Sequence, residues 1–142
     1  MNIDEYSPCK DGLEYYRSQP DFATAWKNCH RGDWMLWIAK KLNVDNRILT
    51  LAKGKCAETV LCLMKDQRSI DAVKSAIDFG NGLIDESQLN AYAYDAADTS
   101  YDTAYDTDAA YGAAREENQL KTANICREIL TEAVMKKVKE QV

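Results

Sequence analysis

Proline and glycine are scarce in this sequence of 142 residues, which contains two prolines and six glycines. Apolar residues make up 46% of the chain, so a folded domain is favoured over disorder. The alternating apolar runs typical of strands are also lacking, whereas helix start and stop signals recur along the chain. A chain of this length can bury most of its surface in one core. We therefore expect a single all-α domain over residues 1–142, with six or seven helices.

Long apolar runs are missing as well. No stretch approaches the roughly 18–20 apolar residues that a membrane span requires. The first ten residues, MNIDEYSPCK, lack the basic start and apolar run of a secretory signal. We therefore expect a cytoplasmic protein that does not contact membranes.

Pairs of metal-binding residues are rare. The five cysteines are odd in number and show no CxxC spacing, so no disulfide framework is expected. The single histidine, His30, follows Cys29 directly. A zinc site formed by Cys9, Cys29 and His30 is conceivable, but metal ligands usually come in tighter pairs. We expect free thiols, no metal and no cofactor.

Signatures of catalysis are also lacking. The sequence contains no GxSxG, no phosphate-binding glycine loop, no HExxH and no Cys/His/Asn set. Cys29 and His30 make a poor catalytic pair, because neighbouring residues on a helix point about 100° apart. We expect a protein that is not an enzyme.

Helix signals divide the first eighty residues into five predicted helices. Their predicted starts and ends are Ser7-Pro8 to residue 18, Pro20 to Cys29, an Asp33 cap to Asn43, an Asp45 cap to about Met64, and a Ser69 cap to Gly80. Asp85 and Gln88 then form a capping-box pattern. A single helix from there to Val142 would be roughly 80 Å long, so we expect a break between Ser100 and Gly112. The last helix, 116–139, is predicted to bury Leu120, Ala123, Cys126, Leu130, Val134 and Val138.

The segment RGDWMLWIAKKL contains six consecutive apolar residues, beginning at Trp34. A helix that is apolar on every side is usually a buried central helix, and this is our prediction. The alternative is that Trp34 and Trp37 are exposed anchors for a partner, since tryptophan is enriched in binding hot spots.

The chain around this segment resembles a family of bacterial and phage immunity proteins, which are relatives of an immunity family from polymorphic toxin systems. The similar stretches are SPCKDGLEYY, WKNCHRGDWMLWIAKKL, RILTLAKGKCAETVL and AVKSAIDFGNG, followed by an Ala/Tyr/Asp-rich tract and QLKTANICREIL. They span about Ser7 to Leu130, and RGDWMLW is the most specific of them. The tract contains more Asp and Thr than in relatives, which are nearer to pure Ala/Tyr. The resemblance implies binding to a toxin and transfers no catalytic residues.

The acidic charge is concentrated in one segment. Residues 85–118 contain nine acids and one base, whereas the net charge is +1 over residues 1–84 and +2 over 119–142. On a helical wheel the tract 91–114 has a tyrosine stripe, an aspartate stripe and an alanine stripe. The predicted partner-binding residues are Asp95, Asp98, Tyr101, Asp102, Tyr105, Asp106 and Asp108. The alternatives are a solvated face and a cation site, although the tract lacks the glycine and the final glutamate of a calcium loop.

These features predict an inhibitor that binds a protein with a basic surface, without direct binding to nucleic acid. Following the resemblance, the partner would be a toxin, such as a nuclease. The alternative is a phage anti-defence protein, comparable to an anti-CRISPR protein. Its aspartates would imitate DNA phosphates and so bind a nucleic-acid-binding defence complex. A homodimer or another self-associating module is a third possibility.

Overall fold

The computed structural model describes residues 1–91 and 112–141, with side chains of the second range described from residue 116 onward. A short 3₁₀-helix, Ile3–Tyr6, precedes the α-helices. They are α1 (Lys10–Arg17), α2 (Phe22–Asn28), α3 (Gly32–Lys41), α4 (Asn46–Glu58), α5 (Gln67–Gly80), α6 (from residue 86, described to 91) and α7 (Gly112–Glu140). These ranges contain no strand, which confirms the predicted all-α fold.

Helix α7 forms the centre of the core. Its buried stripe is fully enclosed and consists of Ala123, Cys126, Leu130 and Val134, as predicted. These positions recur every three or four residues and therefore lie on one face of the helix. The stripe packs against α3 and α4, which make the most extensive contacts with α7.

Leu120 and Val138 were also predicted to be buried. Leu120 is 42% exposed, so that prediction is wrong, and Val138 is half-buried. In this part of α7, Asn118 donates to Thr59 Oγ1, at the end of α4, at 2.9 Å, and the carbonyl oxygen of Thr122 lies 3.7 Å from Cys56 Sγ of α4. Around the helix axis, Leu120 lies about 160–200° from Asn118 and from Thr122. Its side chain therefore points away from α4.

Helix α3 is buried on one face only. Met35, Ile38 and Ala39 are buried, as predicted. Trp34 and Trp37 are half-buried, so the prediction of a helix enclosed on every side is wrong for the two tryptophans. Helices α4 and α7 cover one face of α3, while α1 and α2 leave part of the opposite face open.

Two of the predicted helix caps are confirmed. The Asp45 carboxylate accepts hydrogen bonds from the backbone N–H groups of Arg47 and Ile48 at 2.9 and 3.4 Å. Asp85 and Gln88 form the predicted capping box, with reciprocal bonds of 2.8 and 2.9 Å.

The predicted Ser7 and Pro20 starts are wrong. Ser7 ends the 3₁₀-helix in the left-handed region (φ 54°), and α1 begins only after Cys9. The carboxylate of Asp21 caps α2 by accepting the Thr24 N–H at 2.8 Å, so this helix begins at Phe22.

The predicted Asp33 and Ser69 caps are wrong as well. Asp33 lies in the first turn of α3, after Arg31 as N-cap. Asp66 caps α5 by accepting the Arg68 N–H at 2.9 Å, which places Ser69 inside the helix with its hydroxyl buried.

Several helix ends also differ from their predicted positions. α4 ends at Glu58 rather than near Met64, and a 3₁₀-helix, Leu61–Leu63, follows it. α7 begins at Gly112, four residues before its predicted start. The predicted break between Ser100 and Gly112 falls on residues before α7, which lie outside the described ranges.

Two glycines allow helices to approach closely. A Cβ on Gly32 would lie 2.3 Å from Thr122 Oγ1, so α3 and α7 are in close contact at this position. A Cβ on Gly80 would lie 2.3 Å from Leu51 Cβ, at the contact between α4 and α5. Gly80 does end α5 as predicted, but the left-handed residue is Gly82, with φ 78°. The helix packing therefore depends on the absence of side chains at Gly32 and Gly80.

Within the described ranges, no helix is both long and apolar enough to cross a membrane.

Candidate functional site

A groove of about 380 Å³ opens between the first 3₁₀-helix, α1, α2 and α3. We call it the aromatic groove. Six aromatic side chains and nine other residues line it: Tyr15, Tyr16, Phe22, Trp26, Trp34 and Trp37, with Ile3, Pro8, Cys9, Gly12, Ala25, Cys29, Arg31, Asp33 and Ile38. A lining of this kind, apolar with a few polar groups at one edge, is typical of binding sites.

The floor of the groove is a stack of aromatic rings on α2. The rings of Phe22 and Trp26 are stacked with centroids 6.2 Å apart, and Tyr16 lies 6.4 Å from Phe22. Trp26 is buried and donates from Nε1 to Thr131 Oγ1 of α7 at 2.8 Å. The floor is therefore fixed to the central helix.

Tyr15 joins the two walls of the groove. Its hydroxyl donates to the carbonyl of Ala25 at 2.7 Å, and its ring lies 5.8 Å from Trp34. Burial, followed by the charge of Cys29, raises the pKa of Tyr15 above its ordinary value. The hydroxyl therefore remains a donor at neutral pH and holds α1 against α2 and α3.

The polar edge of the groove is an ion pair. Arg31 donates from Nε and Nη2 to the two carboxylate oxygens of Asp33 at 2.9 and 2.7 Å. The guanidinium also lies 4.5 Å above the ring of Trp34, and its hydrogen bond with Asp33 raises the pKa of Arg31. The two charges compensate each other, so this edge presents a fixed dipole and no net charge.

Cys29 lies beneath this edge and is buried. Its thiol lies 3.5 Å from the carbonyl oxygen of Arg31, and burial raises the pKa of Cys29. A thiol that keeps its proton is a poor nucleophile, so Cys29 is not suited to covalent catalysis. Arg127 of α7 donates to the carbonyl of Cys29 at 2.6 Å and of Trp26 at 3.2 Å, which satisfies the end of α2.

His30 is exposed beside Cys29. In the part of the chain that the structure describes, no three His, Cys, Asp or Glu side chains are grouped so that they could hold a metal ion.

The predicted partner-binding residues Asp95, Asp98, Tyr101, Asp102, Tyr105, Asp106 and Asp108 lie outside the described residues. Four other acids of the same charged segment are described, and all are exposed: Asp85, Glu86, Glu116 and Glu117.

The aromatic groove was not predicted as a site. Two signals in the sequence point towards it, namely the adjacent Tyr15 and Tyr16 and the spacing of Trp34 and Trp37. The second predicts an exposed tryptophan anchor, which is the alternative given for Trp34 and Trp37 in the sequence analysis.

Comparisons of the chain with protein-family models, with curated proteins and with solved structures find no match. The resemblance to immunity proteins therefore stays a prediction that depends on the sequence motifs alone.

Proposed function

We propose that this protein is a non-enzymatic inhibitor that binds a basic protein and takes a large apolar side chain of that partner into the aromatic groove. The groove itself carries the proposal. Tyr15, Tyr16, Trp34 and Trp37 are half-buried around it, although the core beside them is fully enclosed. Tyrosine and tryptophan in such a pocket are the residues that most often dominate binding energy.

The size of the groove favours a side chain over a large ligand. Its volume of about 380 Å³ lies at the lower end of the roughly 300–1,000 Å³ found for ligand sites. The groove is also well ordered by its own contacts, since Tyr15, Trp26 and Arg31 are each held by a hydrogen bond. A pre-organised pocket loses little conformational entropy when a partner binds.

The acidic segment 85–118 favours a basic partner. Residues 3–41, which surround the groove, contain six acids and six bases, so the groove itself adds no net charge. The segment 85–118 carries a charge of −8. Such a field accelerates the approach of a positively charged protein and discriminates against acidic ones.

Photo-cross-linking from inside the groove tests the proposal. A photoreactive phenylalanine analogue replaces Trp37, and a matched control places it at Leu83, which is 72% exposed. We expect the probe at position 37, and not at 83, to attach to a basic protein through a peptide that contains a large apolar residue. The purified partner should then lose its activity with the parent protein and keep it with the Trp37→Ala variant.

The identity of the partner separates the two kinds of inhibitor. A toxin supports the immunity role, whereas a nucleic-acid-binding complex released by competing DNA supports the anti-defence role. An acidic partner, equal attachment at both positions, or a partner whose activity is unaffected would contradict the proposal.

A further inference from the structure

Two buried cysteines on different helices face each other in the core. Cys56 of α4 and Cys126 of α7 lie with their sulfur atoms 3.8 Å apart, although 70 residues separate them in sequence. The exposed fraction is 8% for Cys56 and zero for Cys126. We infer that these two thiols form a reversible redox pair, whose oxidation by a hydroperoxide joins α4 to α7 through a disulfide.

The surroundings hold both sulfur atoms in position. Cys126 Sγ lies 3.7 Å from the carbonyl oxygen of Gly32, and Cys56 Sγ lies 3.7 Å from the carbonyl oxygen of Thr122. A disulfide bond is about 2.0 Å long, so the two atoms must approach by about 1.8 Å, through rotation of the two side chains.

The two thiols have different roles in the reaction. The contact with Cys56, followed by burial, raises the pKa of Cys126. Cys56 is also the more accessible of the two. Cys56 is therefore the attacking thiol and Cys126 the resolving thiol.

The reaction balances with one hydroperoxide for each pair. The Cys56 thiolate attacks one peroxide oxygen, the O–O bond breaks, and a sulfenic acid and water form after the thiol proton is transferred. Cys126 then attacks the sulfur of that sulfenic acid, and its proton leaves with the hydroxyl group as a second water. The two thiols lose two electrons, and hydrogen peroxide is reduced to two waters. A dithiol reductant reverses the bond.

The disulfide would stabilise the folded protein. It closes a loop that contains α5, α6 and the whole acidic segment 85–118, and cross-links across long loops restrict the unfolded chain most. For a loop of 70 residues in a domain of this size, we expect the Tm to rise by about 10 °C or more.

The test uses the full chain with Cys9→Ser and Cys62→Ser, because these two cysteines are exposed and would react independently. The native protein is treated with hydrogen peroxide. We expect an intact mass lower by two hydrogen atoms, a cross-linked peptide that contains Cys56 and Cys126, and a higher Tm that a dithiol reductant reverses. Adding Cys29→Ala, a third buried cysteine, should leave the result unchanged, whereas adding Cys126→Ala should abolish the cross-link.

The Cys9→Ser, Cys62→Ser protein keeps all of its buried residues. Its peptide map therefore identifies the disulfide without any substitution in the core. Four results would overturn the inference: both thiols remaining reduced, a disulfide that contains Cys29, a disulfide that forms only after unfolding in urea, or a lower Tm after oxidation.

Discussion

At the scale of single residues, the three tryptophans have different environments. Trp26 is buried and bonded to Thr131, whereas Trp34 and Trp37 are half-buried on the side of α3 that lines the aromatic groove. Their contributions to stability and to binding should therefore be separable.

We predict that Trp26→Ala lowers the free energy of unfolding by about 3–5 kcal/mol, because it empties a buried aromatic site. Trp37→Ala should lower it by only about 1 kcal/mol, because the indole is partly in water already. Urea unfolding of the two variants measures the difference. Equal losses would mean that Trp37 on α3 contributes as much to the core as Trp26 on α2, as the sequence alone suggested for Trp34 and Trp37.

The cap of α2 should make stability depend on pH. Hydrogen bonds from Thr24, first from its side chain and then from its backbone, hold the pKa of Asp21 below its ordinary value of 3.8. A carboxyl whose pKa is lower in the folded state stabilises the fold above its unfolded pKa and loses this effect as the pH falls through the folded pKa.

We therefore predict that Asp21→Asn flattens the dependence of stability on pH below about pH 4. Asparagine is also a good N-cap, so stability at neutral pH should change little. Thermal unfolding between pH 2 and 7 measures both effects. A variant that loses stability in acid as steeply as the parent would show that other carboxyls dominate.

The sequence could not separate the two faces of α3. Six apolar residues from Trp34 to Ala39 give no period from which one side can be chosen. The exposure of the two tryptophans is decided by the positions of α1 and α2, which are set by contacts such as that of Tyr15 with the carbonyl of Ala25. These contacts link residues whose pairing the sequence does not indicate.

At the scale of helices, the caps show where local signals suffice. Asp45 and the Asp85 capping box have no competing polar residue immediately before them, and both predictions are correct. Asp66 and Ser69 are competing candidates, and the carboxylate of Asp66 forms the cap and also pairs with Arg68 at 2.9 Å. The all-α architecture could be predicted because it depends only on the presence of helices. The positions of several helix ends could not be predicted.

The contact between α3 and α7 should be sensitive to one methyl group. In Gly32→Ala the new Cβ would lie 2.3 Å from Thr122 Oγ1 and 2.7 Å from the Thr122 backbone carbon. Overpacking of this kind costs about 1–3 kcal/mol, whereas alanine gains roughly 1 kcal/mol over glycine in a helix, and a contact this short lies towards the upper end of that range. We predict a net loss of stability in urea unfolding.

Gly12→Ala is the matched control for Gly32→Ala. Its Cβ would meet Cys9 Sγ at 3.3 Å, so stability should stay equal or rise slightly. If Gly32→Ala were as stable as this control, α3 and α7 could move apart without cost.

At the scale of the whole molecule, charge is distributed unevenly. The segment 85–118 carries −8, while the rest of the chain is slightly basic. Its described members at either end, such as Asp85 and Glu117, are exposed. The sequence places Asp98, Asp102 and Asp106 four residues apart, a spacing at which like charges would repel one another on a helix.

We predict that replacing Asp95, Asp98, Asp102 and Asp106 by Asn slows association with the partner, most strongly at low salt, because complementary charge accelerates encounter. Tyr101→Ala should instead accelerate dissociation, as the loss of a buried anchor does, and Tyr105→Ala should do the same. Binding kinetics at two ionic strengths distinguish these effects. If the four-Asn variant associates at the parent's rate in low salt, the aspartates only keep the protein soluble.

The central position of α7 has a consequence for the order of events during synthesis. Trp26 donates its hydrogen bond to Thr131, which lies 105 positions later in the sequence. The enclosed stripe of α7 is the surface on which α3 and α4 pack. A ribosome makes the earlier helices well before the residues that cover them. We therefore expect the core around α3 and α4 to close only after residue 134 has been made, because the enclosed stripe of α7 covers these helices.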